Sequence, residues 1–203
     1  MKRRAGWSMM LAAVLAAAPI LPVLAADVGH YVLGDLQART PGKVQPGLLL
    51  MGGGDRNFDA MHWFMEKAGN GHIVVLRASQ GGEIGEEFFN EVGGIQSVET
   101  FVFKDREAAT DPKILAALKR ADGIFLAGGD QSRYVRYWRG TPVGAALDAH
   151  VKAGKPLGGT SAGLAMLGEY LYGAMDGGSQ TSPRALADPL GDGNTIETNF
   201  LHI

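Results

Sequence analysis

Pro156-Leu157-Gly158-Gly159-Thr160 runs directly into Ser161-Ala162-Gly163, and a helical stretch from Ala162 to Leu167 follows. The pattern Gly159-x-Ser161-x-Gly163 between an apolar strand and a helix is the context of a nucleophile elbow. Such a turn is sharp and strained, so that the serine hydroxyl stands clear of the sheet. Small residues two before and two after let the backbone cross itself closely. The helix start adds N–H donors, and the amide of Ala162 is a natural half of an oxyanion hole. The same residues also suit a tight structural turn with Ser161 as an N-cap.

Working outward, four further apolar runs repeat the theme of strand, turn residues and helix. Gly47-Leu48-Leu49-Leu50-Met51 ends in Gly52-Gly53-Gly54-Asp55. His72-Ile73-Val74-Val75-Leu76 ends near Ser79-Gln80-Gly81-Gly82. Val98 to Phe103 forms the third, and Gly123-Ile124-Phe125-Leu126-Ala127 the fourth, closing on Gly128-Gly129-Asp130-Gln131. Helix patterns lie between them. Asn57 to Ala68 keeps Phe58, Met61, Phe64 and Met65 on one face, Asp111-Pro112 opens a second helix, and Pro142 to Ala153 carries a third. Strands alternating with helices of this length predict an α/β fold: a doubly wound, mostly parallel sheet with helices on both faces. Its site belongs at the carboxyl ends of the strands, where the three glycine-rich tips and Ser161 converge.

The Gly128-Gly129-Asp130-Gln131 tip is the second chemical element. Glycines after a strand allow backbone amides to approach a ligand. Gly129 or Asp130 is placed to give the other oxyanion donor, and Asp130 with Gln131 to present polar groups to a substrate. A plain strand-to-helix turn capped by Asp130 fits the same letters. The Gly52-Gly53-Gly54-Asp55 tip lacks the Lys-Ser/Thr of a phosphate loop and reads as a wall of the same cleft.

Together, Phe125-Leu126-Ala127-Gly128-Gly129-Asp130-Gln131 and, some thirty residues on, Gly158-Gly159-Thr160-Ser161-Ala162-Gly163 resemble the cyanophycinase and aspartyl dipeptidase family of serine peptidases. Leu48 to Gly54 is similar to that family's first strand, and the resemblance spans roughly Gly47 to Leu167. Thr160 before the serine looks more like a cyanophycinase, since the dipeptidases usually carry Trp there. The resemblance implies a fold like that of class I glutamine amidotransferases and a Ser-His-acid triad acting without a cofactor. It also implies cleavage beside aspartyl residues, in a peptide or an aspartate-arginine polymer, and a homodimer in keeping with other members. It assigns Ser161 as nucleophile, Gly129 and Ala162 as oxyanion donors, and Asp130 and Gln131 as substrate-binding residues.

Two departures stand out. Leu164 occupies a position that is usually Ala. The family's Asp-x-His-Phe segment, with the arginine-rich stretch after it, has no counterpart. Of five histidines, only His202 follows Ser161; His30 lies in the lead-in, His62 and His150 on helices, and His72 at the strand end away from the site. The expectation is a domain over residues 27–203 that continues in a longer chain carrying the histidine and the acid. A complete but inactive relative, or His202 as base, are the other readings. Glu83, Glu86 and Glu87 follow the second tip, with Glu86 and Glu87 read as a solvated helix start.

Composition sets the remaining bounds. The chain has 203 residues, enough for one domain with its own core, and 46% hydrophobic against 20% charged residues is ordinary for a globular protein. There is no cysteine, which excludes thiol catalysis, thiolate metal sites and disulfides. No His, Asp and Glu grouping has metal-ligand spacing. Lys2-Arg3-Arg4, an apolar stretch from Met9 to Leu24 and a small-residue site at Val23-Leu24-Ala25 read as an export signal over residues 1–26. Pro19 and Pro22 argue against an uncleaved anchor. The expected location is periplasmic or extracellular, with no stable membrane association after cleavage. Loss of three basic residues moves the formal charge from −2 to −5, which gives no support for nucleic-acid binding.

Overall fold

The computed structural model describes residues 27–79 and 81–201. The export signal read at residues 1–26, and His202, lie outside the described residues. The main sheet has six strands: β1 (Val28–Gly34), β2 (Leu48–Met51), β3 (His72–Arg77), β4 (Ser97–Phe103), β5 (Gly123–Leu126) and β6 (Leu157–Thr160), in the order β1-β4-β3-β5-β6-β2. Strands β2 to β6 run parallel; β1 pairs antiparallel with β4 along its whole length. All five apolar runs are therefore strands. The segment from Asp27, expected to be a surface lead-in, is in part an edge strand. His30 explains its docking: the ring stacks on Phe101 at 4.6 Å and Nε2 meets the buried carboxylate of Glu99 at 2.8 Å, a partner that period-2 reading of 28–34 does not reveal.

Helices cover both faces. They are α1 (Phe58–Lys67), α2 (Glu83–Glu86), α3 (Pro112–Arg120), α4 (Gln131–Trp138), α5 (Pro142–Lys152), α6 (Ala162–Ala165) and α7 (Ser182–Ala187). A π-helical segment, Glu87–Val92, continues α2. Capping follows the sequence. Asn57 accepts from the Ala60 amide at 3.0 Å, and Asp111 from the Lys113 amide at 2.7 Å ahead of Pro112.

Alternation along the central strands divides the core in two. Ile73, Val75 and Phe125 point into one layer with Met61, Phe64 and Met65 of α1 and Phe88 of the π segment. Val74, Leu76, Ile124 and Leu126 point into the other with Ile114, Leu118, Trp138, Val143 and Leu147. Strands buried on both faces must be nearly all apolar, as these are, and each large side chain so covered contributes about 1.5–3 kcal/mol. The last part of the chain forms a two-stranded antiparallel ribbon, β7 (Tyr170–Tyr172) with β8 (Ile196–Thr198), bracketing α7. Phe200 and Leu201 pack into the second layer.

The path from β3 to β4 leads one way across the sheet, and β5, β6 and β2 lie the other way. The strand order therefore reverses between β3 and β5, and the crevice beyond their carboxyl ends is where such sheets bind ligands. Among the described residues no helix is long and apolar enough to cross a membrane.

Candidate active site

Ser161 occupies the turn from β6 into α6 at φ 53° and ψ −122°. This conformation is costly for a residue with a Cβ, by about 1–3 kcal/mol, so the surroundings must impose it. They do so through two glycines. A Cβ on Gly159 would stand 2.6 Å from the Gly163 carbonyl oxygen, and one on Gly163 would stand 2.0 Å from that of Leu126. The turn therefore crosses itself, and the β5 backbone, at distances that only glycine permits. The Ser161 amide donates to the Met51 carbonyl at 3.1 Å, and the Ser161 carbonyl accepts from Ala165 at 3.1 Å. Ser161 holds the N-cap position of α6, yet its side chain makes no capping hydrogen bond. The helix-cap alternative for this serine is thus not realised, and its hydroxyl is left facing the cleft.

That cleft is a cavity of about 1060 Å³ lined by residues that four strand ends, α2 and the π segment bring together. Gly53, Gly54 and Arg56 follow β2; Arg77 ends β3; Glu83, Glu87 and Glu91 come from α2 and the π segment; Gly128 and Gly129 follow β5; Thr160 and Ser161 end β6. The three tips meet as the parallel sheet requires. A Cβ on Gly128 would come within 3.3 Å of Ser161 Cβ, so the absence of a side chain there gives the serine its space.

Gly129 borders this cavity at φ 148°, and a Cβ there would strike Ser79 Oγ at 2.0 Å. Ala162, directly after the serine, is buried at the first position of α6, where no carbonyl of its own helix can accept from its amide. Asp130 and Gln131 lie elsewhere. Both line an adjoining depression of about 490 Å³, with Ser79, Ser132, Arg136 and the Gly177-Gly178-Ser179 turn. The Asp130 carboxylate caps α4, accepting from the Ser132 amide at 2.9 Å and from its hydroxyl at 2.7 Å. The cap reading is realised at Asp130, and Gly129 is the residue shared by the two cavities.

Several residues of the site gave no motif signal. Tyr134 is buried and donates to the Ala127 carbonyl at 2.6 Å, bracing the β5 tip; burial pushes its phenol pKa up, so it stays a neutral donor. Glu87, read as solvated, instead takes a two-point ion pair with Arg56, Nε to Oε1 at 2.6 Å and Nη2 to Oε2 at 3.3 Å. Glu87 and Glu91, four residues apart in the π segment, line the same cavity.

Among the described residues no histidine lines the cavity. His72 bonds Ser97 Oγ and the Ala38 carbonyl at the far edge, His62 the Val92 carbonyl, and His150 the Pro156 carbonyl. Each keeps the structural place expected of it. Among the described residues no set of three acidic or histidine side chains is arranged to hold a metal ion.

Residues 83–187, about half the chain, match the model of peptidase family S51. A cyanophycinase from Trichormus variabilis is 30% identical over 164 residues, covering 75% of this chain and 54% of that protein. One from Synechococcus elongatus is 39% identical over 109 residues, covering 53% of this chain and 33% of that protein. The chain thus spans about half the length, or less, of the curated relatives it matches. A solved peptidase from an acI-B1 Actinobacterium is similar at 19% identity and a TM-score of 0.43, covering 61% of this chain and 56% of that one.

Proposed function

This chain belongs to peptidase family S51, and from that footing we propose that it is an exported serine peptidase of cyanophycinase type, with Ser161 as its nucleophile. The observation that carries the reading is Ser161 itself: a strained φ of 53°, a hydroxyl unused as a cap, and a place at the carboxyl edge of a parallel sheet. Strain of this kind persists where the geometry serves a purpose.

In the proposed reaction Ser161 Oγ attacks an amide carbonyl next to an aspartyl residue, and a histidine takes the hydroxyl proton. The oxyanion rests on the amides of Gly129 and Ala162. The histidine then protonates the departing amine, leaving an acyl-serine that water hydrolyses by the same proton relay. The base is a histidine outside the described residues, either His202 or one supplied by a longer chain. Around the cavity the carboxylates Asp55, Glu83, Glu87 and Glu91 outnumber the guanidinium groups of Arg56 and Arg77, and this acidic excess supports an arginine beside the aspartyl unit of the substrate. Asp130 and Gln131, one step from Gly129, would contact the part of a polymer that extends past the scissile bond.

A second reading, a binding module that keeps the cleft without catalysis, draws on the absence of a histidine at the cavity among the described residues. A fluorophosphonate probe separates the two. The protein, expressed from its complete open reading frame, is treated with the probe and the adduct mapped by mass spectrometry. Labelling at Ser161 is the expected result; a folded protein that takes no label favours the binding module.

A further inference from the structure

The cavity holds a chain of contacts that none of the assigned roles uses. Glu87 grips the Arg56 guanidinium at two points, at 2.6 and 3.3 Å. The remaining terminal nitrogen, Nη1, donates to Thr160 Oγ1 at 3.3 Å. The Thr160 hydroxyl in turn donates to the Gly52 carbonyl at 2.9 Å. Thr160 is 2% exposed and immediately precedes Ser161. The chain therefore ties three separate elements, the π segment, the β2 tip and the elbow, at the residue whose ψ leads into the strained serine.

We propose that Arg56, Glu87 and Thr160 are positioning residues that hold Ser161 in its reactive conformation; this rests on the reading of Ser161 as a nucleophile. The physical case has three parts. A backbone at φ 53° with a Cβ relaxes unless neighbouring contacts over-determine it. The hydrogen bond from the Ser161 amide to the Met51 carbonyl fixes one side of the peptide, and the Thr160 hydroxyl fixes the other to the very next residue of the same tip, Gly52. A threonine hydroxyl has one proton, and it is committed to Gly52; the donor it still lacks is supplied by Arg56. Arg56 is fit for this because a planar fork can satisfy Glu87 with two nitrogens and still offer a third, which a lysine cannot do. The segment carrying Glu87 is π-helical, an irregularity frequent at functional sites.

The contacts that stabilise this arrangement lie beside the reacting atom, so their loss should lower reactivity more than binding. The test measures fluorophosphonate labelling of Ser161 in the full-length protein, separating the maximal inactivation rate from the probe's apparent affinity. Thr160→Val keeps the shape and removes the hydroxyl; Thr160→Ser restores it. We expect Thr160→Val and Arg56→Ala each to slow inactivation by about tenfold or more at unchanged probe affinity, as misplacement of a reacting group does. Thr160→Ser should recover most of the rate, and the double variant should lose little beyond either single one, since both break one chain. Thermal melts identify any variant that fails to fold, in which case Glu87→Gln, which keeps the shape but leaves only one acceptor oxygen for Arg56, replaces it. A labelled wild type with unchanged rates in folded Thr160→Val and Arg56→Ala overturns this inference alone. A wild type that takes no label overturns the proposed function and the inference with it.

Discussion

The amide of Ser161 donates to the carbonyl of Met51 at 3.1 Å, extending the β2–β6 pairing by one step beyond Met51 and Thr160. The ladder thus runs into the elbow itself, and the serine is held by sheet geometry although its own dihedral angles are unfavourable. Replacing it separates strain from chemistry. Ser161→Ala should keep the fold and lose all probe labelling and hydrolysis. Ser161→Gly should also be inactive, yet more stable than wild type by about 1 kcal/mol, because glycine adopts φ 53° without the Cβ conflict. Chemical denaturation of the two variants measures this; a glycine variant less stable than the alanine one would show that the turn is not strained.

The two glycines near the serine should respond in opposite ways. At Gly163 an added Cβ lies 2.0 Å from the Leu126 carbonyl oxygen and 2.6 Å from that of Ala127, backbone atoms at the end of the central strand β5 and just after it that cannot give way. Gly163→Ala should therefore destabilise by about 3 kcal/mol, the upper end for overpacking. At Gly53 the nearest atom to an added Cβ is Ser161 Oγ at 3.8 Å. Gly53→Ala should fold as wild type and act only on the cavity, narrowing it beside Ser161. Melting temperatures and substrate KM values for the pair distinguish a structural glycine from one that shapes the site.

The sequence made the frame readable because parallel strands buried on both faces leave unbroken apolar runs, and residues 73–76 and Gly123–Leu126 are such runs; Leu48–Met51 reads the same way although it is an edge strand with Leu48 and Leu50 exposed. The elbow was readable because its two glycines are demanded by backbone crossings, so they leave a mark in the letters. What stayed hidden was held by side chains meeting across long separations. Val28–Gly34 is half-exposed and joins the sheet through His30 and Glu99, which are 69 residues apart. Arg56 meets Thr160 across 104 residues. The β7–β8 ribbon has three residues in each strand, too few to show a period.

Charge around the cavity gives a third prediction. Glu83 and Glu91 line it, and Glu91 has none of the ion-pair contacts that engage Glu87. If cationic substrates gain from these carboxylates, Glu91→Gln should raise KM for an arginine-bearing substrate a few-fold, with little change for a neutral analogue, since exposed charge pairs contribute about 0.2–1 kcal/mol. The difference should shrink at high salt. Equal effects on charged and neutral substrates would remove the carboxylates from substrate selection.

His150 makes stability depend on pH. The ring is buried on α5, between that helix and the start of β6, and Nε2–H donates to the Pro156 carbonyl at 3.0 Å. Burial disfavours the charged form and lowers its pKa from 6.5 to about 4, against a smaller raising effect of the Pro156 bond. The unfolded chain therefore binds a proton that the folded chain refuses between pH 6.5 and about 4. The stabilising contribution is complete above pH 6.5 and is lost progressively as pH falls toward 4, by at most about 3 kcal/mol. Urea unfolding at pH 7 and pH 5 should show the loss in wild type. His150→Gln, which retains a donor for Pro156 and cannot titrate, should be less stable at pH 7 but lose less on acidification. An identical pH dependence in both proteins would assign the acid sensitivity to carboxylates elsewhere, with the imidazole taking its proton without leaving its place beside Pro156.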